Sequence, residues 1–110
     1  MAPSPAPAPR ITYPTAIVLL ALSRGFRYGF EIMDASGLAS GTVYPILRRL
    51  EDAGLLSARW EPAADARDGQ RPPRRYYQIT GAGRQVLRDA TSRFPGLVGT
   101  LAPGSMPSPT

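Results

Sequence analysis

Hydrophobic positions follow the three- and four-residue spacing of helices in the first half of the chain and then alternate as in strands. In the first segment, residues 13–23, Ile17 and Leu20 recur at helical spacing, and further apolar residues widen the stripe almost to the full circumference. Thr12 can cap this helix and Gly25 suits its end. A helix that is apolar nearly all round is buried on more than one side. In so small a domain, we expect one of those sides to face a partner subunit.

Two shorter helices are predicted next, over about residues 29–35 and 41–53. In the first of them, Phe30 and Met33 are expected to face the core. Ser40 is placed to cap the second. The core stripe of that helix repeats at spacings of three and four and consists of Val43, Ile46, Leu47 and Leu50. Two helices joined by a tight turn that contains glycine are typical of a helix-turn-helix.

The pattern then changes to the alternation of a hairpin. Leu56, Ala58 and Trp60 are expected to point inward from a first strand. Trp60 is predicted to lie in the core of the hairpin, and stacking of its ring against a ligand is the less favoured alternative. Residues 62–73 hold proline, glycine and charged residues and are predicted to be a loop. A return strand is predicted at residues 75–79.

A last helix is predicted from Thr80, as its cap, to about Arg93, and Pro95 ends it. Its apolar stripe is narrow and consists of Val86, Leu87, Ala90 and Phe94.

Both ends of the chain are rich in proline and small residues. Residues 1–11 are predicted to be a disordered tail and residues 95–110 a flexible one, because such segments bury too little apolar surface to offset the entropy of ordering. One domain remains, at residues 12–94. Its predicted class is α+β, mostly α: a winged helix-turn-helix with three helices, a two-stranded wing and a C-terminal helix.

The net charge of +5 rests on arginine alone, because all thirteen basic residues are arginine. Arginine suits bidentate recognition of phosphate and guanine, and a positive balance favours polyanionic partners. A GC-rich genome would explain the lack of lysine equally well.

The chain has no cysteine and no histidine. This excludes disulfides and thiolate nucleophiles, and it removes the usual zinc ligands and the commonest general base. No close carboxylate pair accompanies a glycine-rich loop, so we expect no enzymatic activity, no cofactor and no metal. The longest apolar run, residues 16–22, is too short to span a bilayer, and the N-terminus is a poor signal peptide. We therefore expect a cytoplasmic protein.

Exposed side chains on the third predicted helix suggest contact with DNA. A DNA reader needs short polar and bidentate groups near a helix N-terminus, with cations on either side to hold phosphates. The candidates are Ser40, Thr42, Tyr44, Arg48 and Arg49. Taken alone, two adjacent arginines in the middle of a helix are more often a solvated face.

A second arginine cluster, in the predicted hairpin, changes that balance. Residues 67–84 hold five arginines and one acid. The strand order places this hairpin beside the third helix, where its arginines can hold phosphates or enter the minor groove. Tyr28, before the second helix, is poised to touch a phosphate or to pack under the first helix. The predicted DNA-contacting wing consists of Arg71, Arg74, Arg75 and Tyr76.

These segments resemble the PadR-like (phenolic acid decarboxylase regulator) family of winged-helix transcription factors, especially its short actinobacterial members. The similar segments include residues 28–32 (YGFEI), 40–51 (SGTVYPILRRLE), 54–56 (GLL) and 74–77 (RRYY). The resemblance implies a homodimeric regulator, usually a repressor, that binds an inverted-repeat operator in double-stranded DNA with one recognition helix per half-site. It also adds Pro45 to the recognition-helix positions.

Longer relatives dimerise and sense small aromatic molecules through an extended C-terminal helical region, which Pro95 ends early here. A small-molecule effector therefore stays open and has no identity. Dimerisation is predicted to use Ile17, Leu20, Val86, Leu87, Ala90 and Phe94, with Leu97, Val98 and Leu101 as further candidates. The alternatives are a winged-helix module for protein interaction, or one for RNA binding, without operator specificity.

Overall fold

The helix-turn-helix and the hairpin that the sequence predicts are both present. The computed structural model describes residues 11–101, so most of the two predicted tails lies outside the described residues. The helices are α1 (Tyr13–Ser23), α2 (Gly29–Ser36), α3 (Ser40–Asp52), α4 (Ala63–Asp68), α5 (Gly81–Arg93) and a 3-10 helix (Leu97–Thr100). The strands are β1 (Leu56–Trp60) and β2 (Arg75–Ile79). The mostly helical α+β class is as predicted.

Helix α1 forms the centre of the core. Every residue from Thr15 to Leu22 is buried, as the broad apolar stripe predicted. The Thr12 hydroxyl accepts a hydrogen bond from the Thr15 N–H at 3.4 Å, and Gly25 takes the left-handed region, at φ 94°, just after the helix. Elements of this same chain pack on α1, namely α2, α3, α5, β2 and the 3-10 helix. Burial of α1 therefore does not depend on a partner subunit.

Helix α2 is rotated relative to the prediction, because an acid faces inward in place of an aromatic residue. Phe30 is 43% exposed, whereas Glu31 is buried. The Glu31 carboxylate accepts hydrogen bonds from the N–H groups of Arg27 and Tyr28, at 3.1 and 3.2 Å, and so satisfies amides at the start of the helix. The expectation that Phe30 faces the core is therefore wrong. Met33 packs against the core as expected.

The core stripe of α3 is as predicted, but its first residue is not. The four buried residues are Val43, Ile46, Leu47 and Leu50. The helix begins at Ser40, and the carbonyl of the preceding Ala39 accepts the Thr42 N–H at 2.9 Å. Ser40 thus lies inside the first turn, and no side chain of the described part of the chain caps this end. The prediction of Ser40 as the cap is wrong.

The two strands pair antiparallel, from Leu56 opposite Ile79 to Trp60 opposite Arg75. Exposure rises along β1, from 2% at Leu56 to 62% at Trp60. The inward alternation that the sequence predicts therefore ends before the strand does. Trp60 is not a core residue of the hairpin, because it lies at the exposed end of the strand.

The predicted loop at residues 62–73 contains helix α4. Three of the six residues of α4 are alanine, the strongest helix former. The helix begins after Pro62, whose carbonyl accepts the Ala66 N–H at 3.3 Å, and Ala66 itself is 1% exposed. The proline and glycine around this segment therefore bound a short helix and do not exclude one.

Helix α5 begins as predicted, because the Thr80 hydroxyl accepts a hydrogen bond from the Gly83 N–H at 3.1 Å. Along its apolar stripe, Leu87 and Ala90 are buried, and Val86 and Phe94 are half-buried against the core.

The chain continues to pack after Pro95. Leu97 and Leu101 are 1% and 4% exposed, and both belong to the hydrophobic core. The Arg24 guanidinium donates to the Val98 carbonyl at 2.9 Å, which fixes the 3-10 helix at the end of α1. The prediction of a flexible tail from residue 95 is therefore wrong as far as residue 101.

Much of the surface predicted for dimerisation is already occupied inside the single chain. The buried members of that set are Ile17, Leu20, Leu87, Ala90, Leu97 and Leu101. Large apolar side chains remain exposed nearby at Val98 and at Tyr13, whose ring contacts Phe94 edge-on with centroids 5.4 Å apart. None of the helices described here is long and apolar enough to cross a membrane.

Candidate nucleic-acid interface

Helix α3 presents the predicted polar face to solvent because its apolar stripe anchors the opposite face in the core. Tyr44 is 46% exposed, and Thr42 is half-buried. Among residues 11–101, neither Arg48 nor Arg49 forms an ion pair. The other exposed candidates on this face are Ser40 and Pro45. Side chains that could donate to phosphates or base edges are therefore available on the helix.

Tyr44 lies against the first residue of α2. A Cβ atom at Gly29 would meet three atoms at the phenolic end of the Tyr44 ring at 2.6–2.7 Å. The ring therefore occupies the space that a side chain at Gly29 would need. This contact fixes the position of Tyr44, the aromatic residue of α3, relative to α2.

Two clefts open between α3 and β2, and both are lined by Tyr44, Arg75 and Tyr77. The larger has a volume of about 400 Å³ and is also lined by Arg48, Glu51 and Asp52. The smaller has a volume of about 270 Å³ and is also lined by Tyr28, Gly29, Phe30 and Arg74. Four predicted residues, Tyr44 and Arg48 of the helix and Arg74 and Arg75 of the wing, therefore border these two adjoining clefts.

An ion pair joins β2 to α3. The Arg75 guanidinium donates to a Glu51 carboxylate oxygen at 2.7 Å and also lies 5.5 Å from the centre of the Trp60 ring. Arg75 is thus held from two sides, by an acid of the helix and by the exposed aromatic residue of β1. The sequence predicted Arg75 in the wing but gave no role to Glu51.

Glu61, just after β1, is the centre of a polar network that the sequence did not predict. It is 9% exposed. Its carboxylate accepts hydrogen bonds from the Tyr28 hydroxyl at 3.1 Å, from Arg71 Nη2 at 3.0 Å and from the Arg74 N–H at 2.8 Å. The Arg71 hydrogen bonds, supported by those from Arg74 and Tyr28, lower the pKa of Glu61 to about 2. An isolated glutamate at the end of an alternating strand offers no signal of such a network.

Two residues that the sequence predicted to contact DNA, Arg71 and Tyr28, belong to this network. Arg71 is paired with Glu61. The Tyr28 hydroxyl donates to the same carboxylate, and burial followed by this hydrogen bond raises the pKa of Tyr28. Both side chains are therefore directed towards Glu61 and not towards solvent.

Arg74 is more exposed than Arg71, although both lie in the segment between α4 and β2. Arg74 is exposed, and its guanidinium lies 4.9 Å from the centre of the Phe30 ring. Phe30 in turn stacks on Tyr28, with centroids 5.4 Å apart and ring planes 13° from parallel. The exposed Phe30, which the sequence placed in the core, therefore supports a wing arginine. Tyr76, the remaining wing candidate, is half-buried.

No group of three or more His, Cys, Asp or Glu side chains between residues 11 and 101 could hold a metal ion.

Residues 18–89 match the Transcriptional regulator PadR-like family. The chain belongs to this family. A PadR-like transcription factor from Bacteroides fragilis has a TM-score of 0.63 and 30% sequence identity, over 78% of this chain and 84% of that chain. A PadR family transcriptional regulator from Eggerthella lenta DSM 2243 has a TM-score of 0.58 and 32% identity, over 74% and 73% of the two chains. A search of the curated proteins finds no significant match.

Membership confirms the winged-helix fold and the general function. This PadR-like protein is a transcriptional regulator that binds DNA, and it is not an enzyme.

Proposed function

We propose that this PadR-like protein is a homodimeric repressor that recognises an inverted-repeat operator. Each chain would insert α3 into the major groove of one half-site and lay its wing along the flanking backbone. The observation that carries this proposal is the Arg75–Glu51 ion pair, because it joins the wing strand to the exposed arginine face of α3.

On α3, we assign base recognition to the exposed polar residues. An arginine can donate two parallel hydrogen bonds to guanine in the major groove, so Arg48 is the residue best suited to select a base pair. Thr42 and Tyr44 lie six and four residues before Arg48, nearer the start of the helix, where shorter contacts to base edges or methyl groups are made. Ser40 and the free amides of the first turn suit a phosphate. Arg49 and Pro45 complete the contact face.

In the wing, we assign phosphate contacts to Arg74 and Arg75, with Tyr76 as a hydrogen-bond donor beside them. Arginine contacts to phosphate position the protein without reading sequence. Each such contact releases condensed counterions, so binding should weaken steeply with salt.

The proposed dimer contact lies at the ends of α1 and α5. Tyr13 and Val98 are 41% and 58% exposed, and Phe94 and Val86 are half-buried beside the core. A second copy would cover these side chains and leave the two α3 helices free to occupy successive major grooves.

Selection from a random library of DNA duplexes by the full chain tests this proposal. We expect a palindromic consensus with half-sites about 10 base pairs apart, and two chains per duplex by sedimentation. A single unpaired half-site, or one chain per duplex, would overturn the dimeric mode. Stronger binding to structured RNA than to any selected duplex would favour the RNA-binding alternative.

The sign of regulation needs a separate measurement. With the selected operator overlapping a promoter, we expect added protein to lower the yield of transcript in a purified transcription reaction. A higher yield would identify an activator.

A further inference from the structure

We propose that Glu61 is a positioning residue of the wing, which holds Arg71 as an internal brace and thereby presents Arg74 to DNA. This inference rests on the proposed contact between the wing and the DNA backbone. It assigns different roles to two arginines that sequence alone treats as equivalent.

The first observation is that one carboxylate joins three segments of the chain. The Glu61 carboxylate accepts hydrogen bonds from the Tyr28 hydroxyl in the connection between α1 and α2, from the Arg71 guanidinium in the wing loop, and from the Arg74 N–H just before β2. A carboxylate this buried is stable only with such partners. The wing loop is thereby fixed to the helix-turn-helix at one point.

The second observation concerns the main chain. The Glu61 N–H donates to the Arg74 carbonyl at 2.8 Å, and the Glu61 carboxylate accepts the Arg74 N–H, also at 2.8 Å. This pair extends the ladder one step past Trp60 and Arg75, with a side-chain oxygen in place of a carbonyl. Glu61 therefore fixes the backbone from which the Arg74 side chain extends.

The third observation is the contrast between the two arginine side chains. That of Arg71 is 25% exposed and makes its ion pair with Glu61. Arg74 is exposed, lies over Phe30 and has no acidic partner among residues 11–101. Arg71 gives both terminal nitrogens to the two oxygens of Glu61 and so has little left to gain from a phosphate, whereas Arg75 gives only one nitrogen to Glu51. The guanidinium donors of Arg74 are therefore available to a DNA phosphate, whereas those of Arg71 are engaged by Glu61.

Two matched substitutions in the wing test this division. The affinity of the full chain is measured from about 50 to 200 mM salt, on the duplex selected above and on a shuffled duplex of the same composition. We expect Arg74→Gln to reduce the slope of log K against log salt by about 0.9, the share of one phosphate contact. Arg71→Gln should leave that slope unchanged. It should weaken binding to the selected duplex but not binding to the shuffled duplex.

Glu61→Gln tests the brace from the other side. It removes the negative charge that pairs with the Arg71 guanidinium, so we expect Arg71 to bind any duplex more readily and the slope on the shuffled duplex to steepen by up to about 0.9. We also expect the ratio of selected to shuffled affinity to fall about tenfold. Asp68→Asn, an exposed acid at the end of α4, removes the same charge and should shift both affinities together, with an unchanged ratio. The double variant Glu61→Gln/Arg71→Gln should lose the extra slope.

The outcomes separate the two levels of the proposal. If Arg71→Gln and Arg74→Gln reduce the slope equally, Arg71 contacts DNA and the brace is overturned while the wing contact stands. If neither reduces it, the proposed contact of Arg74 with the DNA backbone fails and this inference fails with it. If Glu61→Gln does not fold, the comparison of the two arginine variants still decides. A Glu61→Gln protein with the ratio and slopes of the parent would also overturn the brace.

Discussion

The Arg75 guanidinium donates to the Glu51 carboxylate at 2.7 Å and so joins β2, the second strand of the wing, to α3. Both side chains are about one-third exposed, at 35% and 34%. Water and salt reach the pair, so its effect on stability is limited even though it sets the relative position of two elements.

A double-mutant cycle on this pair should therefore give a small coupling energy. With Glu51→Gln, Arg75→Gln and the double variant, we expect about 0.2–1 kcal/mol in the free energy of unfolding, decreasing as salt is raised. Asp52→Asn is the control, because this neighbouring acid is exposed and forms no ion pair within the described chain. Chemical denaturation supplies the measurement. A coupling energy of several kcal/mol, or one insensitive to salt, would contradict a solvent-accessible pair.

Arg48→Ala should reduce discrimination between base pairs. We expect a loss of about 1–3 kcal/mol on the selected operator and a relaxed preference at one position of each half-site, because a bidentate contact to a base is lost. Arg88→Ala, on the exposed face of α5, removes the same charge and should leave the base preference intact. Competition binding against single-position operator variants measures both. An Arg48→Ala protein with the base preference of the parent would show that a residue other than Arg48 discriminates between base pairs.

The sequence predicted the major elements well where local and core signals agree. The bounds of α1 and the caps at Thr12 and Thr80 follow from side-chain chemistry within a few residues of each helix end. The core stripe of α3 follows from periodicity. Such features depend on the immediate neighbourhood, so a single sequence contains them.

The errors arise where a distant contact determines the position of a side chain. Phe30 points outward because Glu31 turns inward to two amides, and Trp60 is exposed because the core ends before its strand does. The role of Glu61 depends on Tyr28 and Arg71, which are 33 and 10 residues away. Periodicity indicates which face of an element is apolar, but it does not indicate how far the core reaches.

Gly83 should tolerate no side chain, because the first turn of α5 lies at very close range to the backbone of Leu55, in the connection between α3 and β1. A Cβ atom at Gly83 would lie 2.1 Å from the Leu55 carbonyl oxygen and 2.8 Å from a side-chain carbon of Ile79. The first neighbour is backbone, so relief requires the elements to move apart. We expect Gly83→Ala to lower the free energy of unfolding by about 1–3 kcal/mol or more.

Gly81→Ala is the matched control for this prediction, because a Cβ atom there meets nothing within 4 Å. It should be neutral or stabilise the protein by about 0.4–1 kcal/mol through the unfolded chain. Thermal and urea unfolding of the two variants gives the comparison. Equal stability of the two would contradict the close packing of α5 on Leu55.

The segment after Pro95 should contribute to stability as part of the core. Leu97→Ala removes a side chain that is 1% exposed, so we expect a loss of about 2–5 kcal/mol. Val98→Ala, at the next residue, alters a side chain that is 58% exposed and should change stability by no more than about 0.5 kcal/mol in the monomer. Unfolding is measured at low protein concentration, so that association does not contribute. If Leu97→Ala is as stable as Val98→Ala, the segment is the flexible tail that its composition suggested.

Acid should destabilise the protein through Glu61. In the folded chain the pKa of Glu61 is about 2, below its ordinary value of 4.5, because Arg71 and its other donors favour the carboxylate. The unfolded chain therefore binds a proton first on acidification. The stabilisation from Glu61 is complete above pH 4.5 and is lost as the pH falls from 4.5 towards 2.

We expect Glu61→Gln to be less stable than the parent at neutral pH and to lose less stability over this interval, as followed by urea unfolding at each pH. Asp68→Asn should retain the acid sensitivity of the parent, because this exposed carboxylate has no ion-pair partner among residues 11–101. Parallel stability curves for the parent and Glu61→Gln would show that the network does not hold Glu61 in its charged form.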